Sequence, residues 1–149
     1  MTDCVIFLGF VVTPDGVSAD PKKIKAIVEW SISKSVHDVR SFYGLATFYH
    51  RFIKELSTIV APITDCIRKE NFKWTRAANR AFLDIKDKMT HAPVLRPPDF
   101  FKIFEVACDT SGVGIGGVLS QEGHPVAYFS EKLNDSKLKY LPMIKNFMW

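Results

Sequence analysis

Two groups of residues in this 149-residue sequence have types and spacings that could do chemistry. The first is Asp109, which closes an alternating β-branched segment and is followed by Thr110, Ser111 and Gly112. A carboxylate at a strand end, beside a turn that backbone amides and a divalent cation can approach, is how many phosphoryl-transfer sites begin. The plainer reading is that Asp109 caps the turn, because Asp is a favoured turn former. The second group is Arg40, Gly44 and Phe48, spaced i, i+4 and i+8. On a helix these residues share one ridge about 12 Å long at 1.5 Å per residue. The ridge offers a hydrogen-bonding cation, a gap for close approach and an aromatic ring, a combination suited to a nucleic-acid groove. A mid-helix glycine costs about 1 kcal/mol relative to Ala, so Gly44 implies either tight helix packing or a close ligand. His50, Arg51, Lys54, Arg68, Lys69 and Lys73 are either phosphate contacts or a solvated face.

The elements that must position these groups follow from periodicity. The run from Val5 to Val12 is β-branched and aromatic and leads into Thr13-Pro14-Asp15-Gly16, so a strand, a turn and a second strand from Val17 are expected. Asp20-Pro21 opens a helix with Ile24, Ile27 and Val28 on one face. Ser35 with Asp38 three residues on approximates a capping box and starts a longer helix running to about Glu55. Its buried stripe is Val39, Phe42, Leu45, Ala46, Tyr49, Phe52 and Ile53. A short helix is expected from Pro62 to Arg68, then a capped one from Thr75 through Met89, ended by Pro93, Pro97 and Pro98. After Phe100 the period changes to two, and three short strands in succession predict an antiparallel meander. Glycines at 112, 114, 116 and 117 do not form a dinucleotide loop, since Val113, Ile115, Val118 and Leu119 read as strand rather than helix.

Composition narrows the function classes. With 47% hydrophobic and 24% charged residues the chain can fill a packed core. Its longest apolar run is far short of the roughly 20 residues a membrane helix needs, and no basic leader precedes it. Three widely spaced cysteines, Cys4, Cys66 and Cys108, form no zinc pair and are expected to be buried free thiols. Residues 34–80 carry nine Lys/Arg against four Asp/Glu, whereas residues 103–149 carry four against five. A polyanion should meet the middle of the chain rather than its end.

Several segments, in order along the chain, together resemble the Pol polyprotein of gypsy-class long-terminal-repeat retrotransposons. They are Leu8-Gly9-Phe10 before Thr13 to Gly16, Val39 to Ile53, Phe72-Lys73-Trp74, Ala92 to Leu95, Pro98-Asp99-Phe100, Cys108 to Gly112, Gly116 to Gln121 and Val126 to Leu133. The resemblance implies an α+β fold with a primer-grip β-hairpin and a helical thumb over residues 1–73. A connection helix and Pro-rich linker would occupy 74–100, and the N-terminal half of a ribonuclease H-like mixed sheet 101–149. It places Leu8 and Gly9 in the hairpin that grips a primer end. Arg40, Gly44 and Phe48 would fall where the thumb tracks the minor groove of a template-primer duplex, either RNA/DNA hybrid or DNA, and Arg51 and Lys54 are expected to join Arg40 in binding that duplex. Asp109 would be the first metal-binding aspartate of ribonuclease H, whose four carboxylates hold two Mg²⁺ ions.

The departures from the family pattern bear on activity. Where the family's next helix typically begins Tyr-Asp-Lys-Glu-Phe, this chain has Met143 to Phe147, with Asn146 in place of the acid. The remaining two carboxylates would lie beyond Trp149, and the polymerase carboxylates ahead of Met1. The expectation is a part of a reverse transcriptase/ribonuclease H that binds template-primer but is catalytically incomplete by itself. Its partner would be the rest of the polyprotein, and its setting intracellular, in cytoplasm, virus-like particle or nucleus. The alternatives are a non-catalytic nucleic-acid-binding module and an inert remnant.

Overall fold

Three side-chain caps start helices at the expected places. Asp20 accepts a hydrogen bond from the amide of Lys22 at 2.9 Å, with Pro21 first in the helix, and so opens α1 (Pro21–Val28). Ser35 accepts from the amide of Asp38 at 3.2 Å and opens α2 (Val36–Phe48), and Thr75 accepts from the amide of Ala78 at 3.1 Å and opens α4 (Arg76–Thr90). Each cap satisfies an amide that the first helical turn leaves without a partner. Before the helices lie β1 (Val5–Phe7), β2 (Phe10–Thr13) and β3 (Gly16–Ala19), and α3 (Leu56–Arg68) sits between α2 and α4. The chain continues as β4 (Glu105–Thr110), β5 (Gly114–Gln121) and β6 (His124–Lys132). This computed structural model describes residues 4–31, 35–68, 71–110 and 114–133.

The strands form two separate antiparallel sheets of order β1-β2-β3 and β4-β5-β6. The α+β class and the meander expected from the change of period are therefore present. The core lies among the helices: Ile27, Val39, Phe42, Ala46, Tyr49, Ile63, Phe82, Ile85 and Met89 are all buried. Phe42 and Phe82 meet with ring centroids 4.6 Å apart, and Trp30 and Trp74 close on them edge-first. Lys86 donates to the carbonyls of Val28 (2.9 Å) and Trp30, which would otherwise be free at the end of α1.

The second sheet docks on the helices through β6 and the start of β5. Tyr128 packs against the core, and the amide of Ser57 donates to the Ser130 hydroxyl at 3.0 Å. A Cβ on Gly114 would lie 3.1 Å from the Thr58 hydroxyl, and one on Gly116 would lie 3.3 Å from the Glu55 side chain. Glycine in β5 thus marks a close approach of helix to sheet.

Five expectations are corrected. The run from Val5 to Val12 is two strands, because Leu8 (φ +48°) and Gly9 (φ +79°) reverse the chain in a two-residue turn. The helix through Tyr49 ends at Phe48, well before Glu55; a 3₁₀ turn over His50–Phe52 follows, and this change of path lets Phe52 and Ile53 stay buried. The third helix begins at Leu56, six residues earlier than Pro62, which now sits inside it. Burial of Leu56 and Val60 offsets the missing proline hydrogen bond. Of the cysteines only Cys66 is buried, while Cys4 and Cys108 are exposed. Val28 is exposed, so Ile27 with half-buried Ile24 carries the inner face of α1. Lys69, Ser111, Gly112, Val113, Pro142 and Asn146 lie outside the described residues.

Candidate nucleic-acid interface

Burial of one stripe of α2 determines what its opposite side presents. Val39, Phe42, Ala46 and Tyr49 face the core, so Arg40, Gly44 and Phe48 stand exposed on a second face. Within the described structure, nothing lies within 4 Å of where a Gly44 Cβ would be. Among the described residues the glycine therefore serves no internal packing.

The hairpin tip joins this ridge at its C-terminal end. Leu8 is 72% exposed at the turn, and a Cβ on Gly9 would lie 3.5 Å from the Phe48 ring and 3.0 Å from the Tyr49 hydroxyl. Phe10 stacks on Phe48 with centroids 5.1 Å apart, and the Arg51 guanidinium lies over the Phe10 ring at 5.5 Å. Leu8, Gly9, Phe48 and Arg51 are thereby brought together, with Gly44 and Arg40 continuing along the helix. A guanidinium over an aromatic face is attracted by the ring quadrupole, by about 0.5–1 kcal/mol at exposed sites.

Lys54 is not part of this cluster. It borders a separate hollow with Asp87, Lys88 and His91 at the end of α4. Arg51, in contrast, also walls a groove of about 540 Å³ together with His50 and Arg96, over a floor that includes Val106, Cys108 and Leu119. Arg96 pairs with Glu122 at 3.7 Å.

Asp109 lies one residue from the end of β4, exposed, directly across from Gly116 of β5. Directly opposed residues share a sheet face, so Asp109 is on the face over which Glu55 lies. Mg²⁺ takes octahedral oxygen ligands, commonly one or two carboxylates with substrate phosphates, and a two-ion centre needs more. Among the described residues no group of three or more His, Cys, Asp or Glu could hold a metal ion. The described residues do not fit a two-metal centre.

Two residues important to this geometry are not marked as functional by the sequence: Phe10, which carries both the Phe48 and Arg51 contacts, and Tyr49. A phenol in an otherwise apolar stripe signals a buried polar group that needs a partner, but not which one. The partner is the carbonyl of Gly9, 2.8 Å from the Tyr49 hydroxyl.

Residues 74–148 match the family described as "RNase H-like domain found in reverse transcriptase". The chain belongs to this family. It is 38% identical over 144 residues to the Retrovirus-related Pol polyprotein from transposon 297 of Drosophila melanogaster, covering 95% of this chain and 14% of that protein. To the Pol polyprotein from transposon gypsy of the same organism it is 38% identical over 151 residues, covering 93% and 15%. The chain thus spans a small part of these relatives. The solved foamy viral protease-reverse transcriptase in complex with dsDNA matches with a TM-score of 0.84 at 26% identity, over 97% of this chain and 32% of that one. The gypsy-class Pol resemblance read from the motifs is therefore correct. The family match begins at Trp74, so the ridge and the hairpin precede it, and the ridge falls within the span shared with the Pol relatives.

The buried Tyr49 hydroxyl has a raised pKa, first from burial and second from the charge of Asp20. The folded chain therefore holds this proton more tightly than the unfolded chain. Its contribution to stability is intact below the ordinary value of 10.0 and is lost as pH rises through the folded value. The expected outcome in urea titrations is a constant stability advantage of the natural chain over Tyr49→Phe from about pH 7 to 9, shrinking above about pH 10. An advantage unchanged at the highest pH would contradict this assignment.

Proposed function

We propose that this chain grips template-primer duplex, RNA/DNA hybrid or DNA, as one part of a retrotransposon Pol polyprotein whose whole activity is RNA-directed DNA synthesis. Arg40, Gly44 and Phe48 track the minor groove, Leu8 and Gly9 meet the primer end, and Arg51 and Lys54 contact phosphates. In this reading residues 1–73 are primer grip and thumb, 74–100 the connection, and 101–149 part of the ribonuclease H-like domain. The observation that carries the reading is Gly44, a helix-weakening residue on an exposed ridge with open space above it. The dsDNA bound by the similar foamy viral enzyme supports it, as does the basic middle of the chain. The remaining polyprotein is the proposed protein partner, and the proposed setting is intracellular. Among the described residues no helix is long and apolar enough to cross a membrane.

Binding is proposed without catalysis by this chain alone. Neutral Asn146 stands where the family pattern has an acid, and an amide holds a divalent cation far more weakly than a carboxylate. Mg²⁺ belongs to the parent enzyme in this reading, with Asp109 contributing its first ligand there. The nuclease assay on an RNA/DNA hybrid with Mg²⁺ should show no cleavage, and cleavage that disappears in Asp109→Ala would overturn the proposal.

Two binding measurements test the grip itself. Fluorescence anisotropy with a labelled hybrid should show affinity falling steeply with salt. Neutralising Arg40, Arg51 and Lys54 together should reduce the slope of log K against log salt by about 0.9 for each phosphate that these side chains pair with. An unchanged slope would remove these residues from the interface. Gly44→Leu should separate ligand approach from folding, because the two effects have opposite signs. Helix propensity should raise stability by roughly 0.5–1 kcal/mol, while the added side chain blocks the duplex and weakens binding about tenfold. Full binding by this variant would sink the groove-tracking role of Gly44.

A further inference from the structure

We infer that Tyr49 is a positioning residue for duplex binding: its hydroxyl latches the Leu8–Gly9 hairpin tip onto the end of α2, so that Leu8 and Phe48 meet a duplex as one surface. This rests on the nucleic-acid reading above and adds to it a residue that touches no nucleic acid.

The turn is held in a conformation its own residues do not favour. Leu8 sits at φ +48°, a region that side chains with a Cβ rarely adopt, and with 72% exposure it gains little burial in return. Such a backbone persists when its surroundings over-determine it. The β1–β2 pairing closes the turn from either side, and the hydrogen bonds that reach it from the helices converge on one atom, the carbonyl oxygen of Gly9. It accepts from the Tyr49 hydroxyl at 2.8 Å and from the Asp20 amide at 3.0 Å, which uses both of its lone pairs.

These two donors come from different elements. Asp20 caps the start of α1, and Tyr49 caps the end of α2 immediately after Phe48. One carbonyl therefore hydrogen-bonds the hairpin to both helices, and next to the ridge the phenol supplies that hydrogen bond beside the Phe10–Phe48 stacking. The Tyr49 ring itself is fully buried against Phe10, Phe48 and Phe52, with centroids 5.6, 4.9 and 6.2 Å away. A phenylalanine would keep this packing and remove only the latch. The same contact can be broken from the other side, because a Cβ on Gly9 would lie 3.0 Å from the hydroxyl and at φ +79°.

The test uses the full chain and a fluorescent RNA/DNA hybrid, with Kd measured over a salt series and the thermal midpoint recorded for each variant. Tyr49→Phe should weaken binding roughly three- to tenfold, the effect of removing one buried hydrogen bond's worth of preorganisation. Its salt slope should match that of the natural chain, because no phosphate contact is removed. Gly9→Ala should reproduce the weakening, and the double variant should bind no more than about twofold worse than the weaker single, as expected for two substitutions acting on one contact. Unchanged binding by Tyr49→Phe in a natural chain that binds would overturn the latch alone. So would fully additive effects in the double variant, or a reduced salt slope, which would mean that Tyr49 acts by displacing the basic residues. Absence of binding by the natural chain at about 50 mM salt, where phosphate contacts are strongest, would instead overturn the nucleic-acid reading, and the purpose of the latch with it. If Tyr49→Phe does not fold, Gly9→Ala decides by the same readings.

Discussion

The rotation of α2 about its own axis is the constraint on which the rest of the structure depends. A helix turns about 100° per residue, so once Val39, Phe42, Ala46 and Tyr49 are buried the exposure of their neighbours is no longer free. The aromatic contact of Phe42 with Phe82 fixes that rotation from the core side, and α4 supplies it. The ridge of Arg40, Gly44 and Phe48 is in this sense a product of the core rather than a separate feature. It also explains why residues from the N-terminal and central parts of the chain can act together: the buried side of one helix aligns the exposed side with the hairpin tip.

The parts of this fold that were legible in the sequence are those set by local chemistry. Asp20, Ser35 and Thr75 are capping residues whose hydrogen bonds reach only two or three positions along the chain, so helix starts could be read directly. The alternation after Phe100 was equally local. The turn at Leu8-Gly9 was not legible, because leucine has no turn preference of its own and is held in place by Tyr49, 40 positions from Gly9. The early start of α3 was hidden by Pro62, whose usual message of interruption is overridden by burial of the turn before it. For Gly44 the spacing showed which face the residue occupies, but only the three-dimensional structure shows that the described fold puts nothing opposite it.

Asp109 illustrates the opposite limit. Its position near a strand end was readable from alternation, and the family resemblance attached a role to it. The described structure adds Glu55 over the same sheet face but no converging set of ligands. Motif and geometry report different things: a motif records what a residue does in a whole enzyme, whereas geometry records which partners are at hand.

The junction between the helices and the second sheet has a consequence for synthesis. The amide of Ser57 and the hydroxyl of Ser130 are 73 positions apart in the chain. The helical core, in contrast, is complete once Leu95 has been made. At translation rates of about 5–20 residues per second, Ser130 emerges from the ribosome roughly 2–7 seconds after Leu95, which gives the helices a head start. Helix-helix packing, with its short-range contacts, is fast on that scale. The meander therefore arrives at a surface that already exists, and the glycines of β5 let a late-coming sheet settle against it without displacing side chains that have already packed.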